Sequence, residues 1–389
     1  MNTQNIPVHI RLWHKDFWLL VVADLLLTMS VYVLIPIMPL WLMRTENFTS
    51  LETGLSIGAY AIGLYLFGAQ CSWLVQRFRR NVVCMWAIIL VGLSVALLWY
   101  IDGLRSEFVE FWVILLHRLL LGAAFGLAQM VLSSTLIIDT CESHQRTEAN
   151  HSAAWFARFA LSLGPLAGLI AYHYFGFDKA LWGSIGCAAL SLLLIRQVTF
   201  PFRAPEEGVH VASLDRFLLP RGTVLFFNLL LIMTVVGLVL SQPLTTDFYV
   251  LLMGGFLLAL LAQRFVFRNA ELKSEVISGL FILLASLLIL LAYPASPVSP
   301  LLMGLAVGII GSRYLLFFIK LSRHCKRGTS HSTFFLAWET GITLGLAFGY
   351  AFLSDQRDLL FYVAFALTIA SLLFYHFYAH QWFIKHKNR

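Results

Sequence analysis

The chain has 389 residues, of which 59% are hydrophobic and only 12% are charged, and its formal net charge is +7. Soluble globular domains carry about 25% charged residues, so this composition excludes an ordinary soluble protein and predicts a membrane protein. The positive charge does not indicate a nucleic-acid partner, because the basic residues cluster in the loops between apolar stretches.

Twelve long apolar stretches occupy most of the chain. In chain order they cover 17–42, 52–75, 82–100, 111–138, 153–174, 179–195, 222–242, 247–263, 275–294, 298–319, 331–353 and 358–379. A stretch of about 17–25 residues can cross the bilayer core as a helix, and backbone in lipid must satisfy its own hydrogen bonds. The pattern predicts an all-α protein of twelve transmembrane helices in the cell membrane, which is the inner membrane if the source is Gram-negative.

The loops alternate in basic charge. Those on one side, together with both termini, hold twenty Lys or Arg residues, whereas those on the other side hold only Arg44, Arg105, Lys179 and Arg357. Cytoplasmic loops of membrane proteins are enriched in Lys and Arg. We therefore expect both termini in the cytoplasm.

The longest polar segment, 196–221, lies between the sixth and seventh stretches. It predicts an N-terminal half, 1–195, and a C-terminal half, 222–389, with six helices each and a cytoplasmic linker between them. Short motifs recur in the same order in both halves: Gln76-Arg77-Phe78 and Arg80-Asn81 as Gln263-Arg264-Phe265 and Arg268-Asn269, Gly122 and Gly126 as Gly304 and Gly308, and Arg146, Gly164 and Gly168 as Arg327, Gly345 and Gly349. Such internal duplication is typical of transporter folds.

Three motifs of the first half are similar to those of a known family. They are the loop with Gln76, Arg77 and Arg80, the fourth-span pattern Arg118-x-x-x-Gly122-x-x-x-Gly126, and the fifth-span pattern Gly164-Pro165-x-x-Gly168. In these motifs the chain resembles the major facilitator superfamily. The loop looks like a degenerate copy of the family's signature, with Gln76 in place of an acidic residue. The fourth-span pattern resembles that of proton-coupled members, and the fifth-span pattern that of efflux antiporters.

The resemblance implies two six-helix halves that alternate between inward-open and outward-open states. It is closest to the twelve-span antiporters that exchange drugs or sugars for protons. The expected partners are a small-molecule substrate, protons and the lipid bilayer, and we expect a monomer without cofactor.

Five ionisable residues lie well inside the predicted spans, and four of them fall at matching depths in the two halves. Asp24 and Arg158 come to ~9–12 Å from the same end of the first half, at ~1.5 Å per residue. Arg313 and Glu339 have a similar arrangement in the second half. Because charges in lipid are costly, each residue is a functional candidate. One hypothesis is that each half holds an acid–arginine pair whose carboxyl group takes up and releases a proton. The alternative is a static buried ion pair that holds helices together.

Arg118 has no acid nearby in its own span. Because arginine does not release its proton in proteins, an electrostatic role is predicted, such as holding a carboxylate or repelling a proton. Gly122 and Gly126 follow on the same helix face, and small residues there also allow close helix packing without any substrate.

Other residues are candidates for gating or for ligand contact. Pro36 and the Gly164-Pro165 pair interrupt helical hydrogen bonding, which suits helices that bend during gating, although kinks also occur in inert helices. Side chains with hydrogen-bonding or stacking groups are candidates to line a central cavity, namely Tyr32, Gln129, Asn228 and Trp338. Tyr and Trp also favour the membrane interface, which is the alternative reading of those two.

The sequence contains no glycine-rich phosphate loop, no paired metal-spacing histidines and no nucleophile elbow. It therefore predicts neither an enzyme nor a metal site. The resemblance to antiporters implies a proton-coupled exporter of a small organic molecule. Two alternatives stay open: a proton-coupled importer of a sugar, nucleoside or other nutrient, and a membrane sensor or enzyme that keeps the fold without transport.

Overall fold

The structure is a computed structural model that describes residues 12–103, 110–142, 144–200, 208–267, 270–323 and 326–388. Every secondary-structure element within these ranges is helical. Residues 201–207 of the predicted linker and the repeat copy Arg268-Asn269 lie outside the described residues. The all-α architecture predicted from the apolar pattern is confirmed.

The first half contains nine helices within the described residues. They are α1 (Lys15–Tyr32), α2 (Leu34–Arg44), α3 (Ser50–Gly63), α4 (Gly68–Arg77), α5 (Arg80–Gly103), α6 (Phe111–Val131), α7 (Ile137–Asp139), α8 (Arg146–Phe175) and α9 (Phe177–Arg196). A π-helical turn, Leu132–Leu136, joins α6 to α7.

The second half begins with a 3-10 turn, Pro220–Gly222. Its helices are α10 (Thr223–Leu240), α11 (Thr246–Phe265), α12 (Leu272–Ala292), α13 (Val298–Leu321), α14 (Arg327–Phe352), α15 (Arg357–Phe374) and α16 (His380–His386). A second π-helical turn, Tyr375–Ala379, joins α15 to α16.

Ten helical stretches of the described chain are long and apolar enough to cross a bilayer, and the bent pair α3 and α4 makes an eleventh. The remaining predicted span, 331–353, corresponds to α14. This helix has 26 residues but is less apolar than the others, because it buries polar side chains such as His331, Glu339 and Thr343. Most of its buried polar groups face other helices, where they can be satisfied away from lipid.

Two predicted spans are less regular than a straight helix. The second span bends by 42° between α3 and α4. At this bend a Cβ on Gly68 would lie 2.0 Å from the ring of Phe217, so a larger residue would displace the ring that packs into the break from the segment before α10. The fourth span ends in the π-helical turn, a local widening that is frequent at functional sites.

Helix contacts repeat between the halves with an offset of six spans. In the first half α1 packs on α8, and α3 packs on α6. In the second half α10 packs on α14, and α11 packs on α13. The halves then meet through α3 against α14 and through α8 against α11. This repetition agrees with the duplicated motifs.

Glycines allow the closest approaches within each half. A Cβ on Gly122 would lie 2.2 Å from the carbonyl oxygen of Tyr60, and a Cβ on Gly304 would lie 2.2 Å from that of Leu252. Lipid tails are as apolar as leucine, so packing of small residues replaces the hydrophobic effect as the force between helices. Large apolar side chains such as Trp112 and Trp86 instead project outward to the lipid.

The bundle has two ends that differ in their connections. We call the end at which α1, α8 and α14 begin the linker end, because residues 213–219 pack there against α4 and α14. We call the other end, at which α3 begins and α14 finishes, the far end.

Candidate functional site

A small cavity lies between the halves near the middle of the bundle. Its lining comes from α1, α6, α8 and α14: Asp24, Thr28, Tyr32, Gln129, Ala154, Ala157, Arg158, His331, Phe334, Phe335, Trp338 and Glu339. We call this the central cavity. Its volume is ≈ 30 Å³, which is room for two or three water molecules at about 10–15 Å³ each on the same measure. Three of the four predicted cavity residues, Tyr32, Gln129 and Trp338, line it.

Glu339 connects the two halves at this cavity. Its carboxylate is 3% exposed. One oxygen accepts a short hydrogen bond from the Tyr32 hydroxyl of α1, and the other accepts a hydrogen bond of 3.4 Å from the Tyr60 hydroxyl of α3. A buried carboxylate needs such donors to offset the loss of water. Two tyrosines of the first half therefore hold an acid of the second half.

A second cavity, also of ≈ 30 Å³, lies on the far-end side of Glu339 and shares Tyr32 and Glu339 with the central cavity. Arg118 lines it, with its guanidinium carbon 5.1 Å from the centre of the Tyr60 ring. The Nε and Nη1 atoms of Arg118 have no hydrogen-bond partner, and no ion pair joins Arg118 to a carboxylate of the described residues. Arg118 is thus placed beside the tyrosine that contacts Glu339, rather than on an acid.

Asp24 occupies the linker-end side of the central cavity. The Gln129 side chain contacts its carboxylate and also donates a hydrogen bond of 2.6 Å to the Thr28 hydroxyl. The Asp24 Oδ1 atom has no partner. A buried carboxylate oxygen without a donor is unusual and requires an explanation.

Arg158 lines the same cavity without pairing with Asp24. Its side chain is 2% exposed, and none of its three nitrogens has a hydrogen-bond partner. The guanidinium carbon lies 4.7 Å from the centre of the Trp155 ring and 5.9 Å from that of Phe334. The predicted Asp24–Arg158 ion pair is therefore wrong in this structure, because Arg158 stacks on aromatic rings and Asp24 turns to Gln129.

The predicted pairing of Arg313 with Glu339 is also wrong. Arg313 of α13 forms a close ion pair with Glu275 of α12, whose side chain is buried. Equal depth along two spans does not determine the direction in which a side chain points. Glu275 comes at the start of the ninth span, and α12 packs directly on α13, so it reaches Arg313 first.

Asn228 does not reach the central cavity. Its side-chain amide donates hydrogen bonds to the carbonyl and hydroxyl oxygens of Ser371, at 3.1 and 2.9 Å. Its amide oxygen accepts a short hydrogen bond from the Tyr314 hydroxyl. All its polar groups are therefore used inside the second half, and the prediction that Asn228 lines the cavity is wrong.

The proline and glycine motifs of the first and fifth spans meet beside Tyr32. Pro36 lacks the N–H that would bind the Tyr32 carbonyl, and the helix is interrupted at Val33, between α1 and α2. Gly168 of α8 approaches this break so closely that a Cβ would lie 2.4 Å from the Val33 carbonyl oxygen. Gly164 similarly leaves room for Tyr32. α8 itself continues as a helix through Pro165.

The fourth-span glycines serve close packing. Gly122 faces the backbone of Tyr60, and a Cβ on Gly126 would lie 2.7 Å from the Leu64 carbonyl oxygen. Both contacts are with the second span, close to its break. The packing alternative is therefore sufficient to account for these two glycines.

The basic loop motif divides into two roles. Arg77 is exposed at the end of α4. Arg80, at the start of α5, forms a close ion pair with Asp139 at the end of the fourth span. Thus Asp139 supplies an acid to this loop, although Gln76 replaces the acid of the family motif.

The halves are in contact at both ends of the cavity. At the far end, a Cβ on Gly54 of α3 would lie 2.5 Å from the Ala347 carbonyl oxygen of α14. At the linker end, a Cβ on Gly328 of α14 would lie 2.4 Å from the Ser134 carbonyl oxygen. No open path to the central cavity runs between the halves at these points.

A hydrogen-bonded strap adds to the contact at the linker end. The Arg216 Nη1 atom donates to the Thr135 hydroxyl of the first half at 2.7 Å, and the Arg216 backbone N–H donates to the Thr329 hydroxyl of the second half at 2.9 Å. The Thr329 hydroxyl in turn donates to Asp215 at 3.0 Å. Residues 215 and 216 therefore tie the two halves together.

Several site residues escaped the sequence reasoning. They are Thr28, Tyr60, Trp155, Glu275 and His331. Tyr60 carried a usable signal, since it is a hydroxyl-bearing side chain in the middle of an otherwise apolar span. Glu275 lies at the first position of a predicted span, where charged residues are common because the headgroup region is polar. Its position in the sequence therefore did not indicate a buried partner for Arg313.

Comparison with known proteins identifies one family and several solved structures with the same fold. A family model, the Major Facilitator Superfamily, matches residues 20–374. No match to the sequence of a curated protein was found. Among solved structures, the chain is similar to the xylose transporter XylE from E. coli, with a TM-score of 0.69 at 16% identity over 93% of this chain and 95% of that one.

Two further structures have the same fold. The nucleoside transporter NupG has a TM-score of 0.65 at 12% identity over 93% of this chain and 100% of that one. The human organic anion transporter MFSD10 has a TM-score of 0.63 at 15% identity over 92% of this chain and 98% of that one. At these identities the likeness shows the shared fold and not a shared substrate.

Proposed function

Because the chain belongs to the major facilitator superfamily, we propose that it carries a small organic molecule across the membrane in a cycle coupled to protons. The family assignment makes it a multi-pass membrane transporter rather than an enzyme. In alternating access, two halves rock about a central site that opens first to one side and then to the other. The central cavity is the candidate for that site.

The position of Glu339 between the halves is the observation that carries the proposed proton coupling. α14 supplies the carboxylate, and α1 and α3 supply its two tyrosine donors. Motion of α14 away from the first half breaks these hydrogen bonds. A buried carboxylate without donors is costly unless it takes up a proton or meets water. Proton binding at Glu339 is thereby linked to the arrangement of the halves.

Asp24 is the second proposed proton site. It lines the same cavity as Glu339 and has one carboxylate oxygen without a partner. Arg158 faces that cavity and Arg118 the adjoining one, so both act on the acids through their charge. An arginine in such a site is an electrostatic element and does not carry the proton itself.

Export of the substrate in exchange for protons is the first candidate for direction. Its support is the Gly164-Pro165-x-x-Gly168 motif, which resembles that of efflux antiporters and packs on the helix break at Val33. This break adjoins Tyr32, the donor to Glu339. A bend there is positioned to change the Glu339 contact.

Import of a nutrient together with protons is the second candidate. Its support is the placement of both acids on one cavity, an arrangement that serves symport and antiport equally well. The similarity to sugar and nucleoside transporters is compatible with either direction.

The orientation and assembly are also proposed. The support for a cytoplasmic location of both termini and the linker is the excess of basic residues on that side. In this orientation the linker end faces inward. We expect the monomer to be the transporting unit, since one chain supplies both halves. A reporter enzyme fused after the last residue should be active only in the cytoplasm, and activity on the outer side would reverse the assignment.

A transport assay in proteoliposomes tests the function. Small organic molecules are screened for movement against their own gradient when a proton gradient is imposed, and the internal pH is followed with a dye. The wild type should accumulate or expel a substrate and move protons with it. Glu339→Gln should still exchange substrate but lose uphill movement, because the amide cannot release a proton.

The matched control is Asp247→Asn, which removes an exposed acid at the start of α11. It should behave as the wild type. Uphill transport by Glu339→Gln with unchanged proton movement would show that the coupling hypothesis is wrong.

A further inference from the structure

We propose that the central cavity binds the anionic group of an organic acid, and that Arg158 is the residue that recognises it. This inference rests on the proposed function, because it takes the central cavity to be the transport site. It adds the chemical class of the substrate, which no motif of the sequence indicates.

The first argument is the state of the Arg158 guanidinium. It is buried, it lies in the centre of the protein, and its three nitrogens have no hydrogen-bond partner. Nearly all buried polar groups in proteins are hydrogen-bonded, and a buried charge without a partner is strongly unfavourable. The cost of keeping Arg158 is explained if its partner arrives from outside during the transport cycle.

The second argument is an excess of donors around Arg158. Both ring nitrogens of His331 and the indole Nε1 of Trp155 are buried without a partner. A neutral imidazole has one N–H, so His331 and Trp155 each add one donor. His331 lines the central cavity with Arg158, and Trp155 stacks on the guanidinium. Stacking covers one face of the guanidinium and leaves its N–H edge available. This edge matches the two oxygens of a carboxylate or sulfonate.

The acceptors of the cavity do not consume these donors. Glu339 accepts from Tyr32 and Tyr60, and Asp24 is contacted by Gln129. Within the described lining, Asp24 Oδ1 is the carboxylate oxygen without a partner. It forms no ion pair with Arg158, so it remains free to accept from a hydroxyl or amine on the same ligand. An acid that also carries a donor group would therefore engage both ends of the cavity.

The third argument is the composition of the walls. Trp155 and Phe334 flank the guanidinium, and Trp338 lines the cavity beside them. Ligand sites typically combine aromatic walls with a few polar groups that fix orientation. One guanidinium faces this cavity, so it can bind one anionic group of a ligand. The geometry favours a small monoanion with an apolar or aromatic body.

Binding of simple probes to the purified protein tests this assignment. Benzenesulfonate is the anionic probe because it stays ionised at neutral pH, and benzenesulfonamide is a neutral control of nearly the same shape. Apparent Kd values are obtained from the rise of Tm with probe concentration, since a ligand of the native state stabilises it by mass action. The wild type should bind the sulfonate at least about tenfold more tightly than the sulfonamide, as expected for a charge-assisted bidentate contact.

Two variants and one control locate the contact. Arg158→Gln should remove the preference for the sulfonate, and Arg158→Lys should retain part of it, because lysine keeps the charge without the planar fork. The double variant Arg313→Gln with Glu275→Gln removes another arginine of the spans together with its buried acid. It should keep the full preference. Gel filtration and Tm without probe show whether each variant is folded.

Three outcomes overturn the inference. They are a wild type that does not bind benzenesulfonate, a wild type that binds both probes equally, and a folded Arg158→Gln variant that keeps the preference. The proposed function fails separately. If the protein couples protons to a neutral or cationic substrate, transport stands and the anion site is wrong. If the sulfonate preference depends on Arg158 but no proton gradient drives transport, the anion site stands and the coupling is wrong.

Discussion

Arg158 and Arg313 are two arginines at similar depth in the two halves, and they differ in their surroundings. Arg158 is buried, whereas the Arg313 side chain is 16% exposed. Arg313 forms a close ion pair with Glu275 between α12 and α13, to the side of the central cavity. Arg158 faces the central cavity with no carboxylate bound to it. Two arginines at similar depth thus have different surroundings. What distinguishes them is whether a carboxylate is bound, and not how deep they lie.

This difference in pairing distinguishes a charge that holds helices together from a charge that is available to a substrate. When both members of a buried ion pair are present, each satisfies the other. Removal of one member leaves the other as an uncompensated buried ion. A buried arginine without a partner adds no stability of its own and persists only if it is used. Stability measurements and transport measurements should therefore rank the two arginines in opposite orders.

The largest expected effect is on stability. Arg313→Ala leaves Glu275 buried and unpaired, which should cost ~3–5 kcal/mol of unfolding free energy. Arg158→Ala removes a buried charge that has no hydrogen-bond partner, so it should not lower the unfolding free energy by more than about 1 kcal/mol. Unfolding of the purified variants in detergent, followed by denaturant titration, measures both. A larger loss for Arg158→Ala would contradict the distinction.

The second effect is on transport by folded protein. Arg158→Ala should reduce the transport rate by about 10- to 100-fold, because it removes an interaction made only with the substrate. The double variant Arg313→Gln with Glu275→Gln should stay within about threefold of the wild type, since a neutral pair can replace a buried ion pair. Rates are normalised to the amount of monodisperse protein. Comparable losses in both variants would argue for a shared structural role.

The third effect concerns the acids that accompany the two arginines. Asp24→Asn should weaken proton-driven accumulation by about tenfold while exchange persists, because the amide imitates a permanently protonated acid. Glu275→Gln should lower stability and leave the dependence of transport on pH unchanged. The pH profile of uphill transport separates them. An Asp24→Asn profile identical to that of the wild type would assign the coupling to Glu339 alone.

The smallest effect is expected at Arg118. Arg118→Lys should lower transport by about three- to tenfold, with normal amounts of protein in the membrane, because lysine lacks the guanidinium group that lies over the Tyr60 ring. Tyr60→Phe keeps the ring but removes the hydroxyl that contacts Glu339. It should therefore alter the pH profile, whereas Arg118→Lys should mainly alter the rate. Wild-type transport by Arg118→Ala would make this arginine purely structural.

The sequence by itself determined the membrane location, the helical class and the family. These properties depend on the length and apolarity of whole segments, because each backbone group in lipid must be satisfied within its own helix. The sequence also predicted where glycine and proline would affect the backbone. Gly122, Gly164 and Gly168 lie at close helix approaches, and Pro36 coincides with the break before α2. Their roles in gating remain predictions.

Only the tertiary structure decided which polar side chains meet. Depth along a span predicted two acid–arginine pairs, and neither forms. Arg313 forms an ion pair with Glu275, and Arg158 lies over the ring of Trp155. Glu339 accepts hydrogen bonds from tyrosines of the opposite half. Asn228 likewise turned out to bind inside its own half. Successive side chains of a helix point about 100° apart, since the helix has ~3.6 residues per turn. The partner of each side chain therefore depends on how the helix is rotated about its axis and on which helices surround it. Neither quantity is contained in the local sequence of one span.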